Sequence, residues 1–143
     1  MSYVFDASSL LILARDLGEK VIDVVRGGMT ADLAVYEIGN ALWKECTLLK
    51  RLSYEEALRA LEFMAALLDI METVDIRNLN LIDDVLRNAS ELNITYYDSA
   101  YLTIAEKTGR TLVTDDKKLS KASVKRGVKT SDTKALMEKR SWM

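Results

Sequence analysis

Short β-prone runs recur along this chain, each followed by a longer helical pattern. Tyr3-Val4-Phe5, Met29 to Leu33, Met71 to Ile76, Thr111 to Thr114 and Val128-Lys129-Thr130 read as strands. Between them, Leu10, Leu11, Leu13 and Ala14, then Val35, Ile38, Ala41 and Leu42, then Leu58, Leu61, Met64, Ala65 and Leu68 recur with helical spacing. Val21 to Val25 fits either state. Helix starts are marked by Ser8 or Ser9, by Ser53 with Glu56 in a capping box, by Asn78 or Asn80, by Thr95 or Tyr96, by Asp115-Asp116 and by Asp132. Gly18, Gly109 and Gly127 mark stops, and Gly27-Gly28 is a break. Strands alternating with helices predict an α/β fold with a mostly parallel central sheet and helices on both faces. At 143 residues this is one domain, spanning 1–143.

Composition narrows the chemistry. There is no histidine, so Ser-His-Asp and Cys-His catalysis and imidazole metal sites are excluded. Cys46 is the one cysteine and can form no internal disulfide. Catalysis must therefore run on carboxylates, hydroxyls, amines or a metal held by oxygen. The formal net charge of −2 is unevenly spread. Residues 117–140 carry nine Lys/Arg against Asp132 and Glu138, whereas residues 1–116 carry 11 Lys/Arg and 20 Asp/Glu. A basic C-terminal quarter on an acidic body suggests a phosphate-bearing partner. No apolar run reaches the roughly 18–20 residues of a membrane span, and Asp6 interrupts any signal-like start. A cytoplasmic protein with no membrane partner is expected.

Ligands of open α/β sheets bind outside the carboxyl ends of the strands. Asp6 ends the first strand, and Asp115 and Asp116 end the Thr111–Thr114 strand. Asp98 falls in the first turn of a helix. Glu37 and Asn40 share a helix face three residues apart. Singly, each acid has an ordinary role as a cap, a dipole partner or a solvated side chain. Together at one edge they would repel and raise one another's pKa unless a cation offset them. An all-oxygen donor set suits Mg²⁺ or Mn²⁺. Beside a basic segment, such a site points to phosphodiester hydrolysis, with Lys117, Lys118 and Lys121 holding the polyanion.

Four blocks in order strengthen this reading. Val4-Phe5-Asp6-Ala7-Ser8-Ser9-Leu10-Leu11, Glu37-Ile38-Gly39-Asn40-Ala41-Leu42, Tyr97-Asp98-Ser99-Ala100-Tyr101 and Leu112-Val113-Thr114-Asp115-Asp116-Lys117-Lys118-Leu119 together resemble the motifs of the PIN-domain ribonucleases, and within them the VapC-type toxins of prokaryotic toxin–antitoxin pairs. The resemblance implies a PIN fold, divalent-metal-dependent endoribonuclease activity with RNA as substrate, a homodimer and an antitoxin protein as partner. Carried over by motif, Asp6, Glu37, Asp98 and Asp116 are the catalytic and metal-holding quartet, and Asp115 is a further possible ligand. Ser8 and Thr114 are supporting hydroxyls, and Asn40 orients Glu37 or the nearby backbone.

Two other classes compete. A phosphoacceptor signalling domain also binds Mg²⁺ at a strand end, but needs a pair of acids that Tyr3 to Phe5 does not supply. A non-catalytic RNA-binding or scaffold protein of the same fold would not need an intact quartet. The Leu58, Leu61, Met64, Leu68 stripe reads as core or as a protein-binding surface, Trp43 as core or dimer contact, Cys46 as a small buried apolar group, and Trp142 as a terminal residue that packs or frays.

Overall fold

In the computed structural model, which describes residues 2–140, five strands form one sheet in the order β3-β2-β1-β4-β5. They are β1 (Tyr3–Phe5), β2 (Met29–Ala31), β3 (Glu72–Val74), β4 (Thr111–Val113) and β5 (Thr130–Ser131). All neighbours pair in parallel, with Val4 opposite Met29 on one side and Leu112 on the other. The intervening helices are α1 (Ala7–Leu17), α2 (Val21–Val25), α3 (Ala34–Trp43), α4 (Tyr54–Asp69), α5 (Ile82–Leu92), α6 (Tyr96–Thr108), α7 (Lys117–Lys125) and α8 (Thr133–Arg140). Among the described residues, no helix is long and apolar enough to cross a membrane.

Strand alternation sorts the core into two layers. Tyr3, Phe5 and Val113 join Leu10, Leu13, Ile38, Leu42, Met64 and Leu136 under α1, α3, α4 and α8. Val4, Met29 and Leu112 join Val85, Tyr101, Leu102 and Leu119 under α5, α6 and α7. Helices thus cover both faces, as a parallel sheet requires. The sequence order of the strands reverses between β1 and β4, which puts the topological switch point of the sheet at the ends of those two strands.

α6 has no polar face along its middle. Ser99 to Ala105 are all buried, because the helix lies on β1, β2 and β4 and is flanked by α5 and α7. Its polar residues find partners inside: the Ser99 hydroxyl donates to the Val85 carbonyl at 2.7 Å, and Asn88 donates to the Thr103 hydroxyl at 2.9 Å. Gly109 ends the helix in the left-handed region at φ 69°.

Several boundaries differ from the sequence reading for identifiable reasons. Neither Ser8 nor Ser9 caps α1; Asp6 does, accepting the Ser9 backbone N–H at 2.9 Å. Val21, Val24 and Val25 are buried at helical spacing, which makes that ambiguous run a helix. No side chain caps α5: Leu81 holds that position, and Asn80 instead turns the chain at φ 57°. On α4 the buried side chains are Ala57, Met64 and Leu67, while Leu58 and Ala65 are exposed, so the predicted stripe is rotated toward solvent at its edge. The capping box at Ser53 and Glu56 forms in both directions. α3 runs on into a π-helical turn over Lys44–Leu48. Trp43, expected as core or dimer contact, is 48% exposed, and Cys46 is only partly buried. Trp142 lies outside the described residues.

Gly28 is fixed by close approach rather than by a turn. A Cβ there would stand 2.6 Å from the Phe5 ring and 2.9 Å from the Val25 carbonyl. Gly28→Ala should destabilise the fold by about 1–3 kcal/mol, since Phe5 is fully buried and has nowhere to go. A urea titration with unchanged m-value and lowered midpoint is the expected result; an unshifted midpoint would show that the ring relaxes freely.

Candidate active site

Asp6 follows directly on β1; its backbone N–H reaches the Val113 carbonyl at 3.3 Å, and the Ser9 hydroxyl donates to that same carbonyl at 3.1 Å. The end of β4 and the start of α1 are thereby stitched together around a carboxylate that is only 7% exposed. Across the seam, the Thr30 hydroxyl donates to the Phe5 carbonyl at 2.7 Å. Asp116 caps α7, accepting the Leu119 N–H at 2.9 Å, and its own N–H donates to the Thr114 hydroxyl at 3.1 Å. Asp98 sits in the first turn of α6, capped by Thr95. Glu37 comes from α3, and its Oε1 accepts the Tyr101 hydroxyl at 2.7 Å.

These four acids come from separate elements and act on one another electrostatically. Burial pushes the Asp6 carboxyl above its usual range, against the Thr114 hydroxyl and the Ser9 N–H that favour its charged form. Glu37 is raised by burial and then by the charges of Asp98 and Asp6, partly offset by Tyr101. Asp98 is raised by burial and then by Asp116 and Asp6, with Lys118 pulling the other way. Burial and the neighbouring Glu37 carboxylate drive the Tyr101 phenol far up, so it remains a proton donor throughout the working pH range.

Among the described residues, no group of three or more Asp, Glu or Cys side chains is arranged to hold a metal ion as it stands. The acids are neighbours without being closed into a cage. Mutual repulsion opposes closure, and the cap bonds to Ser9 and Leu119 occupy one oxygen each of Asp6 and Asp116. The donor chemistry nonetheless fits a hard divalent cation: the set is all carboxylate oxygen, Glu37 and Asp116 each keep an oxygen outside the bonds described, and a cation would relieve the repulsion.

No family model matches the chain. Over 119 residues, 83% of this chain and 84% of the relative, it is 36% identical to Exonuclease VapC9 of Pyrobaculum aerophilum. The chain belongs to the VapC family. It is also 31% identical over 131 residues to Ribonuclease VapC3 of the same organism, covering 84% of this chain and 93% of that one. The crystal structure of PAE2754 from Pyrobaculum aerophilum superposes with a TM-score of 0.80 at 31% identity, over all of this chain and 91% of the other. DNA-bound VapBC from Salmonella typhimurium shares the fold at 12% identity, with a TM-score of 0.63 over 93% of this chain and 98% of that one.

Within this VapC-family chain the supporting residues are partly redistributed. Asp115 is committed elsewhere: its Oδ1 accepts the Thr133 N–H and its Oδ2 the Thr133 hydroxyl, both at 2.7 Å, anchoring the start of α8. Its charge still raises Asp6 slightly. The Thr114 hydroxyl lies beside Asp6 and favours its charged form. Ser8 is exposed on the rim of a groove shared with Glu37, and the hydroxyl that braces the Asp6 loop is that of Ser9. Asn40 is exposed in the same groove, and the side chain that holds Glu37 is Tyr101. Tyr101 was missed because a tyrosine among apolar helix residues reads as core; its place three residues after Asp98 on one helix face was the available signal. Lys117, Lys118 and Lys121 are exposed on α7. Arg126 is not free for phosphate, since its Nε donates to Asn88 at 2.9 Å and its Nη2 to Glu91 at 2.6 Å.

Proposed function

We propose that this VapC-family chain is an endoribonuclease that hydrolyses RNA phosphodiester bonds with Mg²⁺ or Mn²⁺ held by Asp6, Asp98 and Asp116, Glu37 completing the site. The observation that carries the reading is the gathering of four acids from four elements at the β1–β4 crevice, three of them pushed up by burial and by one another. The names of VapC9 and VapC3 support a nuclease class. A bound cation would neutralise phosphate charge and acidify a water. The chain's own part is positional. Ser9 and Thr114 hold the Asp6 carboxylate, Thr95 and the packing of α6 hold Asp98, and Tyr101 leaves Oε2 of Glu37 free to take a proton. A circular RNA tests the reading, because it has no ends for an exonuclease. Metal-dependent linearisation by the wild type and none by Asp6→Asn is expected. Intact RNA, circular and linear, with either metal would sink the proposal.

Lys117, Lys118 and Lys121 supply the phosphate-binding edge. α7 starts at Asp116, and Lys118 is close enough to Asp98 to favour its charged form. Lys117 and Lys121 lie one turn apart on one face. Replacing both with Glu should weaken RNA binding and flatten its salt dependence by about 1.4 in log–log slope, for two contacts at about 0.7 each on a single strand. Filter binding from low to moderate salt checks this; an unchanged slope would make α7 a solvated face.

An antitoxin protein, a homodimer and a cytoplasmic setting belong to the same reading. A groove of about 930 Å³ between α1, α3 and α4, lined by Leu11, Ile12, Ala41 and Phe63 with Glu37 on its wall, supports an apolar segment as partner. The exposed apolar side chains Tyr36, Trp43, Ile82 and Leu86 support self-association.

A further inference from the structure

We infer that Tyr101 is a positioning residue for the acidic cluster, its one buried hydroxyl tying together the elements that carry Asp6, Glu37 and Asp98. The inference rests on the metal-dependent reading above. Tyr101 is 1% exposed and lies three residues after Asp98, so α6 presents both toward the same side. Its hydroxyl donates to Glu37 Oε1 at 2.7 Å, crossing from α6 to α3. The backbone N–H of Ala7, the residue after Asp6, faces the phenol oxygen from the start of α1 and favours its charged form. The hydroxyl therefore bridges α6 to α3, with the start of α1 beside it.

The physical argument is one of orientation. Glu37 has three rotatable side-chain bonds and is repelled by Asp98 and Asp6. Left alone, its carboxylate would swing toward water. A neutral, buried phenol cannot move with it and gives a charge-assisted hydrogen bond to one oxygen, which fixes the plane of the carboxylate. Outer partners of this kind act through the groups they orient, and their loss costs about 10- to 100-fold in metal affinity or activity.

Tyr101→Phe removes only the hydroxyl. Calorimetric Mn²⁺ titration without RNA should show affinity about tenfold weaker than wild type, and steady-state cleavage should show kcat lowered about tenfold with the RNA KM unchanged. Thr103→Val, on the same helix as Tyr101, breaks the buried bond to Asn88 of α5 and should leave both values unchanged. Wild-type Mn²⁺ affinity in Tyr101→Phe, or an equal loss in Thr103→Val, would overturn the inference. Should Tyr101→Phe lose its cooperative melt, Ala7→Pro removes the N–H beneath the same oxygen at a helix position that tolerates proline, and the same loss of Mn²⁺ affinity is expected; unchanged affinity there would overturn it. Asp6→Asn separates the two readings. If wild type binds Mn²⁺ no better than Asp6→Asn, the metal-dependent reading fails and the positioning role falls with it. If wild type binds better and Tyr101→Phe matches it, only the positioning role fails.

Discussion

Asp6→Asn should abolish RNA cleavage and yet raise the melting temperature of the metal-free protein at neutral pH. The loss follows from removing a metal-holding oxygen charge. Metal stabilisation of the transition state is worth several kcal/mol, which at about 1.4 kcal/mol per tenfold is on the order of a thousandfold in rate. The gain in stability follows from burial and repulsion. Asp6 holds its proton more tightly folded than unfolded, so the folded chain binds more protons than the unfolded one in that window. As pH rises from the unfolded value near 3.8 through the raised folded value, the wild type loses stability. Above that window the asparagine variant should be the more stable, and below the unfolded value the difference should vanish. Asn caps a helix as well as Asp does, so the bond to the Ser9 N–H survives the exchange. Paired thermal melts at acid and neutral pH, with a cleavage assay, check both halves. A variant that cuts at the wild-type rate would remove Asp6 from the metal site.

Chelation should be as severe as mutation. EDTA treatment is expected to stop cleavage outright, with Mn²⁺ or Mg²⁺ restoring it. Because a cation relieves repulsion that exists only in the folded chain, it should also stabilise. At a hundred times its dissociation constant, a ligand specific for the folded state adds about 2.7 kcal/mol. In Asp6→Asn that gain should shrink. A wild-type melt indifferent to Mn²⁺, or cleavage that survives EDTA, would refute the metal requirement.

What could be read in the sequence was what local pattern controls. Alternating strand and helix signals carried the α/β architecture, and acids at strand ends marked the edge where Asp6 and Asp116 stand. Long-range partnerships were not legible. The motif singles out Asp116 over its neighbour Asp115, but nothing in the local pattern shows that Thr133 returns to both Asp115 oxygens. Arg126 looked like part of a basic tract until α5 supplied Asn88 and Glu91. The α4 stripe packs on the core through Leu61, Met64 and Leu68 but not through Leu58, because the neighbouring elements cover Ala57 instead. Tyr101 belongs to the same class, since its partner lies 64 residues away.

The burial of α6 has a consequence for motion. A helix with one face in water can fray or detach at modest cost, but seven consecutive buried residues leave α6 no route to solvent except through the sheet or its flanking helices. Its central amides should therefore be among the slowest in the chain to exchange with deuterium, opening only with the molecule as a whole. Tyr101 rides on that segment, and Asp98 directly precedes it. The acidic edge is thereby tied to a part of the chain that should not breathe independently of the core.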